Sequence, residues 1–167
     1  GPRQVGKSTA AGQIAAQWRG PVIHVSADSP VPPGPEWIQH HWHSMRTMAN
    51  SAGPPLLILD EIQNVSGWSE EVKAQWDTDQ RTGRTPSVLL LGSSALLIQH
   101  GLSESLAGRF QLHRMTHWLW PYVVEAFGLS LEEWLFFGGY PGALRFRDDE
   151  PQWKGYGRYS LVETVLA

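Results

Sequence analysis

Hydrophobic residues cluster in three short stretches of the chain, and helical patterns separate these stretches. They are PVIHVSAD at 21–28, PPLLILDEIQ at 54–63 and TPSVLLLGSS at 85–94. Four consecutive aliphatic residues, Leu56 to Leu59, are typical of a strand buried on both faces, as in a parallel sheet. We therefore predict a strand in each stretch and a further strand in FQLHRM at 110–115.

The segments between and after these strands have helical patterns. Lys7 to Trp18 is Ala-rich, and Ser69 is the predicted N-cap of a helix that runs to Arg81. The other predicted helices cover 36–50, 95–100 and most of the chain beyond 117. Strands that alternate with helices predict an α/β fold, with a parallel sheet flanked by helices and a small helical region after it.

The composition restricts the classes of protein that the chain fits. With 167 residues, 41% of them hydrophobic, it suits one folded core, which we place at 1–116 with a helical region at 117–167. The net charge of −3 supplies no basic field for nucleic acid or membrane, and the absence of cysteine excludes disulfides and thiolate metal sites. No apolar run approaches the roughly 18 residues that span a bilayer. We predict a cytoplasmic protein with no membrane partner.

The chain begins with GPRQVGKST, which fits the phosphate-binding loop pattern G-x-x-x-x-G-K-[ST]. In such a loop, glycines allow a tight turn and backbone N–H groups at a helix N-terminus surround a phosphate. Lys7 would reach the β- and γ-phosphates, Ser8 would ligate Mg²⁺, and Thr9 would touch the α-phosphate. The predicted nucleotide-binding residues are Gly1, Pro2, Arg3, Gln4, Val5, Gly6, Lys7, Ser8 and Thr9. A chance match in a Gly/Pro turn is the alternative.

Two acidic residues close the second hydrophobic stretch. A metal ion bound to phosphates needs a carboxylate at the carboxyl end of a neighbouring buried strand, and Asp60 is predicted to lie there. We predict that Asp60 holds Mg²⁺ and that Glu61 is the base that positions water for attack on the γ-phosphate. Asp-Glu after an apolar run is more often a strand that ends in solvent, but a phosphate loop earlier in the chain weakens that alternative.

Two further positions are candidates for catalytic roles. Ser93 or Ser94, at the end of the third stretch, would hydrogen-bond the attacking water or the γ-phosphate, although serine there is also a common N-cap. Arg109 follows a Gly-bearing loop and would stabilise transition-state charge, in cis or across a subunit interface. An ordinary surface arginine is the alternative for Arg109.

Five motifs together resemble those of a known family. In this order, GPRQVGKST, LLILDEIQ, LLLGSSALL, SLAGRFQL and FFGGYPGAL are similar to motifs of prokaryotic AAA-type P-loop ATPases of the additional-strand class, in the family that carries a C-terminal domain of unknown function. The resemblance covers nearly the whole chain. It implies a P-loop NTPase sheet and ATP and Mg²⁺ as cofactors. It also implies the roles given above for residues 1–9, Asp60, Glu61, Ser93 or Ser94, and Arg109. It also implies that Tyr140 and Pro141 line the nucleotide site; a plain turn is the alternative for GGYPG.

The resemblance also implies segments that this sequence does not contain. A strand is expected before Gly1, and a domain is expected after a lid-like region at 117–167, so that the chain looks like a truncated copy at both ends. The predicted function is Mg-dependent ATP hydrolysis. The alternatives are an ATP-dependent regulatory switch or scaffold with little turnover, or an inactive fragment. A homo-oligomer is a possible partner state, and nucleic acid is a possible partner only through the absent domain.

Overall fold

Three parallel strands form the sheet of the computed structural model, which describes residues 2–48, 53–93 and 106–162. The strands are β1 (Val22–Ser26), β2 (Leu56–Asp60) and β3 (Ser87–Leu90), in the order β1-β2-β3. Ser26 pairs with Asp60, and Leu59 pairs with Leu90. All three predicted β-branched or aliphatic stretches are therefore strands, and the predicted parallel sheet is confirmed.

The described residues form two compact units. One unit lies within Lys7–Arg114 and contains the sheet; the other combines Pro2–Gly6 with the described residues from Met115 onward. We call them the sheet unit and the helical unit. The division falls inside the phosphate loop, since Gly6 and Lys7 belong to different units.

Both faces of β2 are buried. Successive side chains of a strand point to opposite sides of the sheet, and an apolar cluster lies on each side. Leu57 and Leu59 pack in one apolar cluster with Trp42 and other residues of α2 (Glu36–Met48) and α3 (Trp68–Arg81). Leu56 and Ile58 pack in a second cluster with Ala11 of α1 (Lys7–Gln17). Helices thus cover the two faces of the sheet, which is the layered α/β arrangement predicted from the sequence.

A buried carboxylate joins α2 to α3. Asp79 is fully buried; its Oδ2 accepts a hydrogen bond from Trp42 Nε1 at 2.6 Å, and its Oδ1 accepts one from Arg46 Nε at 2.7 Å. Arg46 also donates to the side chain and the backbone carbonyl of Gln75. The two helices on this face are therefore held by a polar network as well as by apolar packing.

The helical unit consists of short elements. Its α-helices are α4 (Trp120–Phe127), α5 (Leu131–Phe137) and α6 (Glu150–Gly155), with a 3₁₀-helix at Pro141–Phe146 and a π-helix at Tyr156–Val162. A capping box starts α5: the Ser130 side chain accepts from the Glu133 N–H, and the Glu133 carboxylate accepts from the Ser130 N–H. Among the described residues, no helix combines the length and the apolar character needed to cross a bilayer.

Two sequence predictions about secondary structure are wrong. Residues 110–115 form no strand: they pair with none of the three strands of the described sheet, and Phe110 and Leu112 are exposed, so neither ladder nor core supports an extended conformation there. Ser69 is not the N-cap of α3, because Gly67 in the left-handed conformation takes that position and Ser69 lies buried inside the helix. The helix predicted at 95–100 lies outside the described residues.

Candidate functional site

The phosphate-loop serine meets the first of the two acidic residues. Ser8 is the second residue of α1, and Asp60 is the last residue of β2. Although they are 52 positions apart in sequence, Ser8 Oγ donates a hydrogen bond to Asp60 Oδ2 at 2.5 Å. The other carboxylate oxygen, Oδ1, accepts the N–H of Glu61 at 2.8 Å. Asp60 is 6% exposed, so this carboxylate is buried and fixed in orientation.

The second acidic residue meets the serine that follows β3. Ser93 Oγ donates to Glu61 Oε2 at 2.8 Å across 32 positions of sequence. Two backbone hydrogen bonds join the segments that follow β2 and β3. Leu91 N–H donates to the Leu59 carbonyl, and Ile62 N–H donates to the Leu91 carbonyl. The structure therefore brings Glu61 and Ser93 together, whereas Ser94 lies outside the described residues.

Glu61 adopts an uncommon backbone conformation. Its φ of 50° and ψ of 41° are left-handed, a region that residues other than glycine rarely occupy and that costs roughly 1–2 kcal/mol. Non-glycine residues held in this way cluster at functional sites. The hydrogen bonds around Glu61 maintain the conformation and turn its carboxylate toward Ser93.

Gln63 also belongs to this site, although no motif in the sequence predicts it. Its Nε2 donates to Glu61 Oε2, and it also lies 3.4 Å from Ser93 Oγ. Its Oε1 is buried and has no hydrogen-bond partner among the described residues. The signal available in the sequence was its position two residues after Glu61 in LLILDEIQ, where the 3₁₀ turn Ile62–Asn64 folds it back toward the carboxylate.

The phosphate-loop residues 2–6 have the backbone of a tight turn. Gln4 has a φ of 61° and Gly6 a φ of 92°, so two left-handed residues occur within three positions. Glycine is needed at position 6 for this conformation rather than for space, since a Cβ there would meet nothing within 4 Å. Thr9 lies exposed on α1, and Gly1 falls outside the described residues.

Arg109 contacts Asp77 of α3 rather than the acidic pair. Its Nε donates to Asp77 Oδ1 at 2.9 Å, and its guanidinium also reaches the Ala107 carbonyl. Within the described ranges, no hydrogen bond or ion pair links Arg109 to Asp60 or Glu61. Its predicted role as a transition-state arginine stays a prediction.

The donor set of this site suits a hard cation. Ser8 Oγ and Asp60 Oδ2 are oxygen ligands of the kind Mg²⁺ prefers, and Mg²⁺ is commonly held by one carboxylate, waters and the phosphates of a nucleotide. Among residues 2–48, 53–93 and 106–162, no group of three or more His, Cys, Asp or Glu side chains could hold a metal ion by itself. The residues fit a metal that arrives with its nucleotide.

The parallel sheet, the helices on its two faces and the acidic residues at its carboxyl end define the fold as that of an α/β P-loop NTPase. A family model described as AAA domain matches residues 1–134 of the 167-residue chain. The chain therefore belongs to the AAA domain family, which supports a nucleotide-binding ATPase function in general. Neither the comparison with curated proteins nor that with solved structures gives a significant match.

Proposed function

We propose that this chain binds ATP with Mg²⁺ and hydrolyses it through in-line attack by water. The observation that carries the proposal is the hydrogen bond between Ser8 Oγ and Asp60 Oδ2. It joins the end of the phosphate-loop motif to the carboxyl end of the buried strand, where α/β sheets bind their ligands. The hydrogen bond between Ser93 and Glu61 supports the proposal, because both residues follow the carboxyl ends of neighbouring strands, β3 and β2.

Each proposed residue has a separate task. Within residues 1–9, the backbone N–H groups of positions 5–8 bind the phosphates, with Lys7 as the positive charge on the β- and γ-phosphates. Ser8 and Asp60 hold Mg²⁺, which when bound would neutralise charge on the phosphate oxygens. Glu61 accepts the proton of the attacking water. Ser93 orients the Glu61 carboxylate through its hydrogen bond, and it is our candidate for the serine that hydrogen-bonds the attacking water or the γ-phosphate.

An ATP-dependent switch with little turnover is the second candidate. The Glu61 Oε2 atom already accepts hydrogen bonds from Ser93 and Gln63, which lowers its availability as a base. A carboxylate held in this way would allow nucleotide binding while it slows water activation. Phosphate release measured over several turnovers separates the two candidates: tight MgATP binding with negligible multiple turnover supports the switch, and sustained release supports the ATPase.

We expect Ser8→Ala to weaken the Mg²⁺-dependent part of ATP binding by about 10- to 100-fold, the range for loss of a hydrogen bond or ligand at a charged group. The hydroxyl that contacts Asp60 is removed, while the backbone N–H groups of the loop remain. Titrating Mg²⁺ into the protein with ATP, by calorimetry, measures the effect.

The exposed serine of the same unit, Ser66, supplies the matched control as Ser66→Ala. This variant is expected to bind MgATP as the parent does. If Ser8→Ala retains the parent's Mg²⁺ dependence, Ser8 does not hold the metal.

A further inference from the structure

We propose that the helical unit sets the conformation of the phosphate loop through Trp118 and Tyr156, and that the GGYPG segment at 138–142 makes this possible. Nothing in the proposed hydrolysis uses these side chains. The inference rests on the proposed function, because it concerns how tightly the loop binds a nucleotide. All the residues that carry it belong to the helical unit, which includes Pro2–Gly6.

Trp118 fixes one peptide of the loop. Its indole Nε1 donates to the Val5 carbonyl at 3.0 Å, and the Val5 side chain is fully buried. The N–H and C=O of a planar trans peptide point in opposite directions. Because the Val5 carbonyl is held by Trp118, the N–H of Gly6 is turned the other way, and loop N–H groups are what a phosphate loop offers its ligand.

Tyr156 holds Gln4, the loop residue before Val5. The Tyr156 hydroxyl donates to Gln4 Oε1, and Gln4 Nε2 donates to the Ser160 carbonyl at 3.2 Å. Burial raises the pKa of Tyr156 above its ordinary value, so the phenol remains protonated and can donate at neutral pH. These two bonds restrain Gln4 in its left-handed conformation, which an isolated glutamine would rarely adopt.

The two glycines of GGYPG that lack a positive φ leave room for the Trp118 backbone and the Tyr156 hydroxyl. A Cβ at Gly142 would lie 2.7 Å from the Tyr156 hydroxyl, and a Cβ at Gly139 would lie 2.6 Å from the Trp118 carbonyl oxygen. The Gly139 carbonyl also accepts the Trp118 N–H at 2.9 Å. The segment therefore acts as a spacer that lets Trp118 and Tyr156 reach the loop.

The consequence is that nucleotide affinity depends on hydrogen bonds made outside the phosphate-loop motif. A loop already ordered by Trp118 and Tyr156 loses less conformational entropy when it closes on a phosphate than a free loop does. Trp118 and Tyr156 are positioning residues in this scheme, since they touch the loop and act on the nucleotide through it. Loss of either bond should raise the dissociation constant and leave the chemistry at Glu61 intact.

The first test compares MgATP dissociation constants of the purified protein by calorimetry. We expect Tyr156→Phe and Trp118→Phe each to weaken binding by about three- to tenfold, the range for one hydrogen bond, with kcat unchanged. Gly142→Ala is expected to match Tyr156→Phe, and the two changes combined should weaken binding no further. The controls are Tyr122→Phe, which removes an exposed hydroxyl, and Gly155→Ala, whose Cβ meets open space; both should bind as the parent does.

The second test needs no nucleotide. Amide hydrogen exchange of residues 3–8 should be faster in Tyr156→Phe and Trp118→Phe than in the parent and in Tyr122→Phe. Far-UV circular dichroism and thermal melting confirm that each variant is folded, and Tyr156→Phe keeps the comparison decisive if the larger change at Trp118 disturbs the unit.

The outcomes separate the two proposals. Faster loop exchange together with weaker MgATP binding supports the inference. If the parent binds MgATP but the variants bind equally tightly, or if their loop exchange matches the parent's, the inference is overturned and the proposed function stands. If the parent binds no MgATP, the proposed function fails and the inference falls with it.

Discussion

Glu61→Gln is expected to lower kcat for ATP hydrolysis by about 10²- to 10⁴-fold, the usual contribution of a positioned general base. The amide cannot accept the proton of the attacking water, but it is nearly isosteric with the carboxylate and can still accept a hydrogen bond from Ser93 through its oxygen. Binding of MgATP should therefore change little. Steady-state phosphate release with calorimetry on the same preparation measures both quantities.

Glu125 provides the matched control for this prediction, because it is exposed on α4. Glu125→Gln should hydrolyse ATP at the parent's rate. Parent-like turnover by Glu61→Gln would show that another group activates the water. A kcat loss accompanied by an equal loss of affinity would show instead that Glu61 contributes to binding.

Asp79→Ala should lower the free energy of unfolding by about 3–5 kcal/mol, because it leaves the guanidinium of Arg46 without its buried partner and the Trp42 indole N–H without an acceptor. Asp79 is fully buried, so water cannot replace the lost bonds without local opening. Denaturant unfolding followed by tryptophan fluorescence and circular dichroism measures the change.

Asp148→Ala is the control, since Asp148 is exposed in the helical unit and should change stability by less than about 0.5 kcal/mol. Asp79→Asn keeps the shape and one acceptor oxygen and should fall between Asp79→Ala and the parent. A loss below about 1 kcal/mol for Asp79→Ala would contradict the role given to this network in joining α2 to α3.

The sheet could be predicted from the sequence because its signal is local. The run from Leu56 to Leu59 is buried on both faces, and a strand buried in this way has no polar position to alternate with its apolar ones. The stretch 110–115 alternates apolar and polar residues but forms no strand, because it pairs with none of the three strands of the described sheet. Ser69 is not the N-cap of α3, because the helix begins directly after Gly67. Glycine adopts the left-handed conformation found there with less strain than other residues.

The candidate site could be predicted only in part. Ser8, Asp60, Glu61 and Ser93 follow from motifs at the ends of predicted elements, and the structure pairs Ser8 with Asp60 and Glu61 with Ser93. The contact of Gln63 with Glu61 depends on a 3₁₀ turn and on the left-handed φ of Glu61, neither of which the residue types reveal.

The role of the glycines in the GGYPG segment could not be predicted from the sequence. Its glycines looked equally suited to a plain turn between helices and to a nucleotide-lining turn. The structure gives two of them a spatial reason, because Gly139 and Gly142 leave room for the Trp118 backbone and the Tyr156 hydroxyl. Contacts between residues so far apart in sequence cannot be read from local spacing.

Calorimetric titration of MgATP into the parent and into Lys7→Ala tests the central claim, a nucleotide site built on the phosphate loop, most directly. Lys154→Ala is the control, since it removes an exposed lysine that pairs with Glu150. The parent and Lys154→Ala should bind MgATP with equal affinity, and Lys7→Ala should bind about 100-fold more weakly, because it loses the positive charge on the β- and γ-phosphates. Equal affinity in the parent and Lys7→Ala, or no MgATP binding by the parent, would contradict the account.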